Sequence, residues 1–263
     1  MLHHLSPVRR RLLVALAASA ATLVAIVGVL VVVTQRHDGV VPVAQNRLGP
    51  VLVLPGYGGS TASVEPLVTL LTAEGRDVTV VVPEGDGKGD LRSHAERLEQ
   101  AADDALARTG ASSVDVIGYS AGGVVARLWV RELDGASEAR RVVTLGSPHH
   151  GTDLAGEVGG LVPEGCPTGC QQLAPDSELL RRLNAGDETP RGPAFVSVWT
   201  SDDQVVTPPD SARLDGALNV ELQDLCPSAQ VAHGELPGNS AVAALLDVSL
   251  GVAAPSVPAT CPV

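Results

Sequence analysis

The sequence of 263 residues predicts an α/β domain, a mainly parallel sheet with helices on both faces, behind an N-terminal hydrophobic helix. Three observations predict it. Short apolar runs alternate with longer stretches of helical periodicity, which is the pattern of strand–helix–strand units. Apolar residues make up 44% of the chain but aromatics only 2%, so the core has to be built from Val, Ala and Leu, the side chains that fill strands buried on both sides. A chain of this length and ordinary hydrophobicity suits one globular domain and argues against disorder or a fibre.

In chain order, Leu12 to Thr34 form an uncharged, almost wholly apolar run. Its roughly 23 residues, at ~1.5 Å each, are enough to cross a hydrocarbon layer of ~30 Å. Arg9-Arg10-Arg11 precede it and are expected to stay cytoplasmic. Residues 1–36 therefore read as an uncleaved signal anchor attached to the membrane, with a secretory signal peptide cleaved after Val43-Ala44 as the alternative. In both cases Asn46 onward lies outside the cytoplasm. Residues 37–48 are a polar, Pro/Gly-punctuated linker, and 49–263 the folded domain.

Within that domain Val51 to Leu54 is the first strand, stopped by Pro55-Gly56-Tyr57-Gly58-Gly59, and Glu65 to Glu74 reads as a helix. Val78 to Val82 is a strand closed by Pro83. The loop Gly85 to Asp90 leads into Leu91 to Arg108, whose apolar residues recur at helical spacing. Val114 to Ile117 is a third strand, Ala121 to Leu133 a helix, Arg141 to Leu145 and Phe195 to Trp199 two more strands. Leu218 to Leu222 is expected as the sixth, with Ser240 to Leu250 a closing helix. Ser147 to Pro193 is the one long stretch expected to be irregular, and an insertion at the carboxyl ends of strands borders or covers the ligand site.

The chain holds 18 Lys+Arg and 30 Asp+Glu; four of the arginines and none of the acids fall in residues 1–36, leaving 14 basic against 30 acidic residues and a net charge of −16. A nucleic-acid partner is excluded on that balance. Cys166, Cys170, Cys226 and Cys261 all lie in the exported part, so disulfides are expected. Of three possible pairings we choose Cys166–Cys170, which shares the turn C-P-T-G-C, and Cys226–Cys261, which ties down a loose tail. The spacing is not C-x-x-C and no His lies near, so no zinc site is expected.

The strand Val114 to Ile117 runs into Gly118-Tyr119-Ser120-Ala121-Gly122-Gly123, a G-x-S-x-G turn between strand and helix. That context matters more than the bare pattern. The turn is tight, so glycines two residues either side of Ser120 are needed where backbone comes too close for a β-carbon. Neither a Walker lysine nor G-x-G-x-x-G accompanies it, which disfavours a phosphate-binding turn. A serine nucleophile needs a base and a carboxylate to orient that base.

In such a fold the acid and then the His follow the serine in the chain. Of seven histidines, only His233 lies well downstream, after the last strand and before the closing helix. The acid is expected after Trp199, in Thr200-Ser201-Asp202-Asp203-Gln204-Val205-Val206. Asp203, just before the apolar pair, is the choice, with Asp202 the alternative. Two backbone N–H groups should face the developing oxyanion, from Ala121 at the helix N-terminus and Tyr57 in the loop after the first strand. Ser147-Pro148-His149-His150-Gly151-Thr152 reads as a structural turn, a metal site of His149, His150 and Asp153 being the lesser reading.

V-L-V-L-P-G-Y-G-G, V-I-G-Y-S-A-G-G, V-V-T-L-G-S-P-H-H-G-T and W-T-S-D-D-Q-V-V followed by R-L-D-G-A-L-N-V together resemble the class 2 group of small secreted bacterial lipases and esterases of the α/β-hydrolase fold, over roughly Gly49 to Leu246. The resemblance implies carboxylic-ester hydrolysis with no metal or other cofactor, with Ser120, Asp203 and His233 in the triad positions and the Tyr57 and Ala121 amides in the oxyanion hole. Pro55 departs from the family, where many relatives carry His. The expectation is an exported, monomeric serine ester hydrolase acting on a lipid or small ester substrate, with no nucleic-acid partner. Alternatives are an acyltransferase on lipid or cell-envelope esters with the same triad, and a non-catalytic hydrolase-like binding module.

Overall fold

The computed structural model describes residues 39–161 and 165–262 together with Ser19 and Thr22. The chain divides at Val40 into two compact units, and the sheet belongs to the second, Val41–Val263. The apolar run read as a signal anchor or signal peptide lies outside the described residues, Ser19 and Thr22 apart; among the described residues no helix is long and apolar enough to cross a membrane.

The strands are β1 (Val51–Leu54), β2 (Val78–Val80), β3 (Val114–Tyr119), β4 (Ala139–Leu145), β5 (Ala194–Trp199) and β6 (Leu218–Glu221). The helices are α1 (Glu65–Ala73), α2 (Leu91–Thr109), α3 (Ala121–Glu132), α4 (Gly135–Glu138), α5 (Asp153–Leu161), α6 (Thr168–Gln172), α7 (Glu178–Leu183), α8 (Leu222–Leu225) and α9 (Ser240–Leu250). All six strands pair in parallel in the order β2-β1-β3-β4-β5-β6. This is the predicted α/β architecture.

Alternate strand residues point to opposite faces. Val51, Val53, Ile117, Val143 and Val196 form one apolar cluster with Leu67 and Leu71 of α1 and Leu245 and Leu246 of α9. Leu52, Val116 and Val142 are also fully buried, on the side covered by α2 and α3. The chain leaves β1 for β2 on one side and returns to β3 on the other, so a topological switch point lies between β1 and β3. The crevice at the carboxyl ends of those two strands is where such sheets bind ligands.

Three strand boundaries differ by two residues from those read in the sequence, the first being β2, which ends at Val80 and not at Val82. β3 extends to Tyr119, because Gly118 and Tyr119 still pair with Thr144 and Leu145, although neither belongs to an aliphatic run. β4 starts at Ala139 and buries Arg140 and Arg141 inside a strand. Both guanidinium groups turn to the sheet's amino end. Arg140 Nη2 meets Asp115 Oδ2 at 2.5 Å and the Leu250 carbonyl at 2.6 Å, and Arg141 Nη2 donates to the Ala253 carbonyl at 2.9 Å. The last carbonyls of α9, which have no partner within the helix, and that of Ala253 in the tail are thereby satisfied.

Ser147 to Pro193, expected to be irregular, contains α5, α6 and α7. These helices are too short and Gly-rich to show a period of their own, so tertiary contact forms them. Both expected disulfides are present, Cys166–Cys170 with Cα atoms 5.2 Å apart and Cys226–Cys261 with Cα atoms 5.0 Å apart.

Candidate active site

Ser120 sits at the end of β3 with φ +52° and ψ −125°, a strained conformation for a residue with a side chain. The surrounding glycines make it possible. A β-carbon on Gly118 would stand 2.5 Å from the Gly123 Cα, and one on Gly122 would stand 2.7 Å from the Leu54 and Pro55 carbonyl oxygens. The Ser120 N–H donates to the Leu145 carbonyl at 2.8 Å, which pins the turn to β4.

Three residues far apart in the chain converge there. His233 Nε2 lies 3.0 Å from Ser120 Oγ, and His233 Nδ1 lies 2.6 Å from Asp203 Oδ2. All three are buried, at 9% exposure for Ser120, 7% for His233 and 4% for Asp203. The other Asp203 oxygen accepts the Val205 and Val206 N–H groups, each at 2.8 Å, so the apolar pair after the acid fixes it through backbone donors. A carboxylate at Nδ1 keeps the ring proton there and leaves the Nε2 lone pair facing the serine hydroxyl. Asp202, the alternative acid, is on the outer side of the loop, where Oδ2 accepts the Val231 N–H at 3.2 Å.

Two supports of His233 escaped the sequence reading. The Tyr119 hydroxyl donates to the His233 carbonyl at 3.3 Å, and the two rings lie 5.1 Å apart. Burial, and secondarily the Asp203 charge, push the Tyr119 phenol up to about 12, so it stays a donor at any working pH. Gly146, with φ +54°, has no room for a β-carbon, which would meet Leu236 Cδ1 at 2.6 Å and His233 Nδ1 at 3.1 Å. The middle position of G-Y-S and the glycine ending T-L-G were the only sequence signals for either.

The loop after β1 lies directly on the Ser120 turn, since a β-carbon on Gly56 would be 3.1 Å from the Ser120 Cβ. Gly58 N–H donates to the Gly87 carbonyl at 3.2 Å and Gly59 N–H to the Gly56 carbonyl at 3.0 Å. The Tyr57 and Ala121 N–H groups have no protein acceptor among the described residues.

Beside Ser120 opens a cleft of about 210 Å³ lined by Tyr57, Leu154, Val158, Leu173 and Val206, with Cys170 in its wall. No charged side chain among the described residues lines it. The segment expected at the mouth thus does border the site, through α5 and the Cys166–Cys170 bridge. Such a cavity accepts an apolar group next to a hydroxyl that has a base at hydrogen-bond distance.

His149 and His150 face apart. His149 is fully buried with Nε2 3.0 Å from Thr144 Oγ1, and burial, followed by the charges of Arg127 and His150, holds its imidazole well below the usual range. His150 Nε2 lies 2.9 Å from Glu188 instead. Among the described residues no group of three or more His, Cys, Asp or Glu is placed to hold a metal.

Known proteins share this frame. The family model for palmitoyl protein thioesterase matches residues 50–184. Among solved structures the chain is similar to lipase B of Aspergillus fumigatus, at 20% identity and TM-score 0.68 over 79% of this chain and 53% of that one. It thus spans about half the length of that lipase. It is also similar to the mature form of the Bacillus licheniformis lipase BlEst2, at 15% identity and TM-score 0.64 over 78% of this chain and 92% of that one. A Listeria innocua protein aligns at 15% identity and TM-score 0.55 over 76% and 93%. At such identities these likenesses establish the α/β-hydrolase fold.

Proposed function

The chain belongs to the palmitoyl protein thioesterase family and is an α/β hydrolase, and from that premise we propose that it is an exported serine hydrolase cleaving carboxylic esters of apolar acyl groups. The reading rests chiefly on one observation, the hydrogen-bonded row Asp203–His233–Ser120 beside an uncharged cleft. In this reading Ser120 Oγ attacks the acyl carbonyl while His233 Nε2 takes the hydroxyl proton. The Tyr57 and Ala121 N–H groups receive the oxyanion, a contact typically worth 10²–10³ in rate per donor. His233 returns the proton to the leaving group, and water, deprotonated by the same nitrogen, releases the acid from the acyl-serine.

The acyl chain lies against Leu154, Val158 and Val206. The family match favours a second leaving group, since a thiolate departs with less protonation than an alkoxide, so thioesters of the same acyl groups belong in the substrate set. Two disulfides support an oxidising compartment. We further propose that residues 1–36 direct export, as a membrane anchor or a cleaved leader, and that within its fold the chain sits with the class 2 secreted lipases and esterases.

The test is a fluorophosphonate probe followed by an acyl-chain panel of oxygen esters and thioesters. The wild type should label, and Ser120→Ala should abolish both labelling and turnover, with kcat down by roughly 10⁵–10⁶. Undiminished labelling of Ser120→Ala would overturn the reading.

A further inference from the structure

The row of Ser120, His233 and Asp203 depends on two separate loops keeping their distance. Asp203 is on the turn after β5 and His233 is on the segment after α8, 30 positions apart in the chain. A short hydrogen bond of 2.6 Å between their side chains cannot by itself set the spacing of two backbones. Something else has to.

The Thr200 side chain, at the carboxyl end of β5 and fully buried, meets both loops. Its hydroxyl donates to the Val231 carbonyl at 2.8 Å. Its oxygen accepts the Asp202 N–H at 3.2 Å and the Gln223 Nε2 at 2.9 Å. One donor and two lone pairs are thus all used, the full capacity of a hydroxyl. Gln223, in α8, is the second arm: Oε1 accepts the Ser201 N–H at 3.0 Å, and Nε2 also reaches the Asp202 Oδ2 at 3.2 Å and the Ala229 carbonyl at 3.3 Å. Val231 closes the ring, since its N–H donates to Asp202 Oδ2. Each of the two loops therefore both gives to and takes from the other, two residues before His233 on one side and three before Asp203 on the other.

We propose that the Thr200 hydroxyl, with Gln223 as its outer arm, is the positioning group that sets the separation of the acid-bearing and base-bearing loops. The inference rests on the serine-hydrolase reading for its kinetic consequences but not for its structural ones. Thr200 does not line the cleft, and its hydroxyl bonds none of the Ser120, Asp203 or His233 side chains. Its effect passes through the His233–Asp203 bond, and displacing reacting groups by about 1 Å costs on the order of 10²-fold in rate.

The experiment compares Thr200→Val, of nearly the same shape, with Thr200→Ser, which keeps the hydroxyl. Two signals are read on the full chain: ester kinetics, and the low-field proton resonance of the His233 Nδ1–H. Thr200→Val should lower kcat about 10- to 100-fold with KM within about twofold, and should broaden or lose the low-field resonance, while Thr200→Ser retains both. A folded Thr200→Val with unchanged resonance and kcat overturns the proposal, and so does a Thr200→Ser that fails as badly as Thr200→Val. A wild type inert toward every ester and thioester, whose resonance Thr200→Val nonetheless removes, refutes the enzymatic reading and leaves the positioning role standing. Should Thr200→Val not fold, Gln223→Met, at a half-exposed site, decides on the same two signals: loss of both supports the brace, and retention of both refutes it.

Discussion

Asp202 and Asp203 are chemically identical neighbours, and only their surroundings give them different work. Asp203 is buried, spends one oxygen on two backbone N–H groups and aims the other at His233 Nδ1. Asp202 is exposed and accepts from the Val231 N–H and the Gln223 side chain. Replacing Asp203 by Asn puts an N–H donor or a weaker acceptor where the imidazole needs a carboxylate, so the ring loses its tautomer. Asp203→Asn should lower kcat by roughly 10³–10⁴, whereas Asp202→Asn keeps an oxygen for the Val231 N–H and should stay within about tenfold of wild type. Steady-state kinetics on one ester separates the two, and the reverse order would move the acid to Asp202. The order serine, acid, histidine and the apolar pair after the acid pointed to three side chains that the fold brings into one hydrogen-bonded row. Tyr119 was not legible as a support of His233, because its partner is a backbone carbonyl 114 residues away.

At the scale of elements, the sequence was readable wherever a strand is a continuous aliphatic run and opaque wherever polar residues are buried in one. The aliphatic run placed the strand start at Arg141; in the fold Arg140 also lies inside β4, and the charge of both is tolerated because Asp115 and the carbonyls at the end of α9 receive it. The short helix α4 hides the opposite case. Burial, and then the charges of Glu99, Asp103 and Asp134, raise the Glu138 carboxyl to about 7, and its Oε2 has no hydrogen-bond partner. The folded state thus holds a proton that the unfolded chain releases near its ordinary value of 4.5. Stability contributed by that proton is complete below about pH 4.5 and lost as pH rises through about 7. Glu138→Gln removes the dependence. Its melting temperature should exceed that of the wild type at pH 8 and approach it near pH 4.5, at equal salt. A difference that is the same at both pH values would show that Glu138 does not titrate in this window.

Across the whole molecule, the long insertion and the tail are where sequence patterns gave least, because neither is organised by a hydrophobic period. Both are organised by a covalent bond. Cys166–Cys170 closes a separation of only 4 residues, whereas Cys226–Cys261 closes 35. In the chain-entropy account the longer loop constrains the unfolded state by about 4 kcal/mol and the shorter by about 2 kcal/mol. Their functional consequences differ more than that ratio. The 226–261 loop contains His233 and all of α9, whose side chains Leu245 and Leu246 belong to the core under the sheet. The 166–170 loop contributes Cys170 to the cleft wall, and it buttresses the loop before α2 through the Gly169 N–H donating to the Lys88 carbonyl at 3.0 Å.

The Cys226→Ser/Cys261→Ser variant should therefore melt roughly 8–16 °C lower and lose kcat as the base loop loosens. The fall is limited because Arg140 and Arg141 still hold the Gly251 and Ala253 carbonyls upstream of the bridge. The Cys166→Ser/Cys170→Ser variant should melt less far below wild type and show its defect in KM for the longer acyl chains, which lean on that wall. Thermal melts and an acyl-chain series on both variants check this. If the two double variants exchanged these signatures, the base loop would be held by its hydrogen bonds alone and the cleft wall would owe its shape to something other than its disulfide.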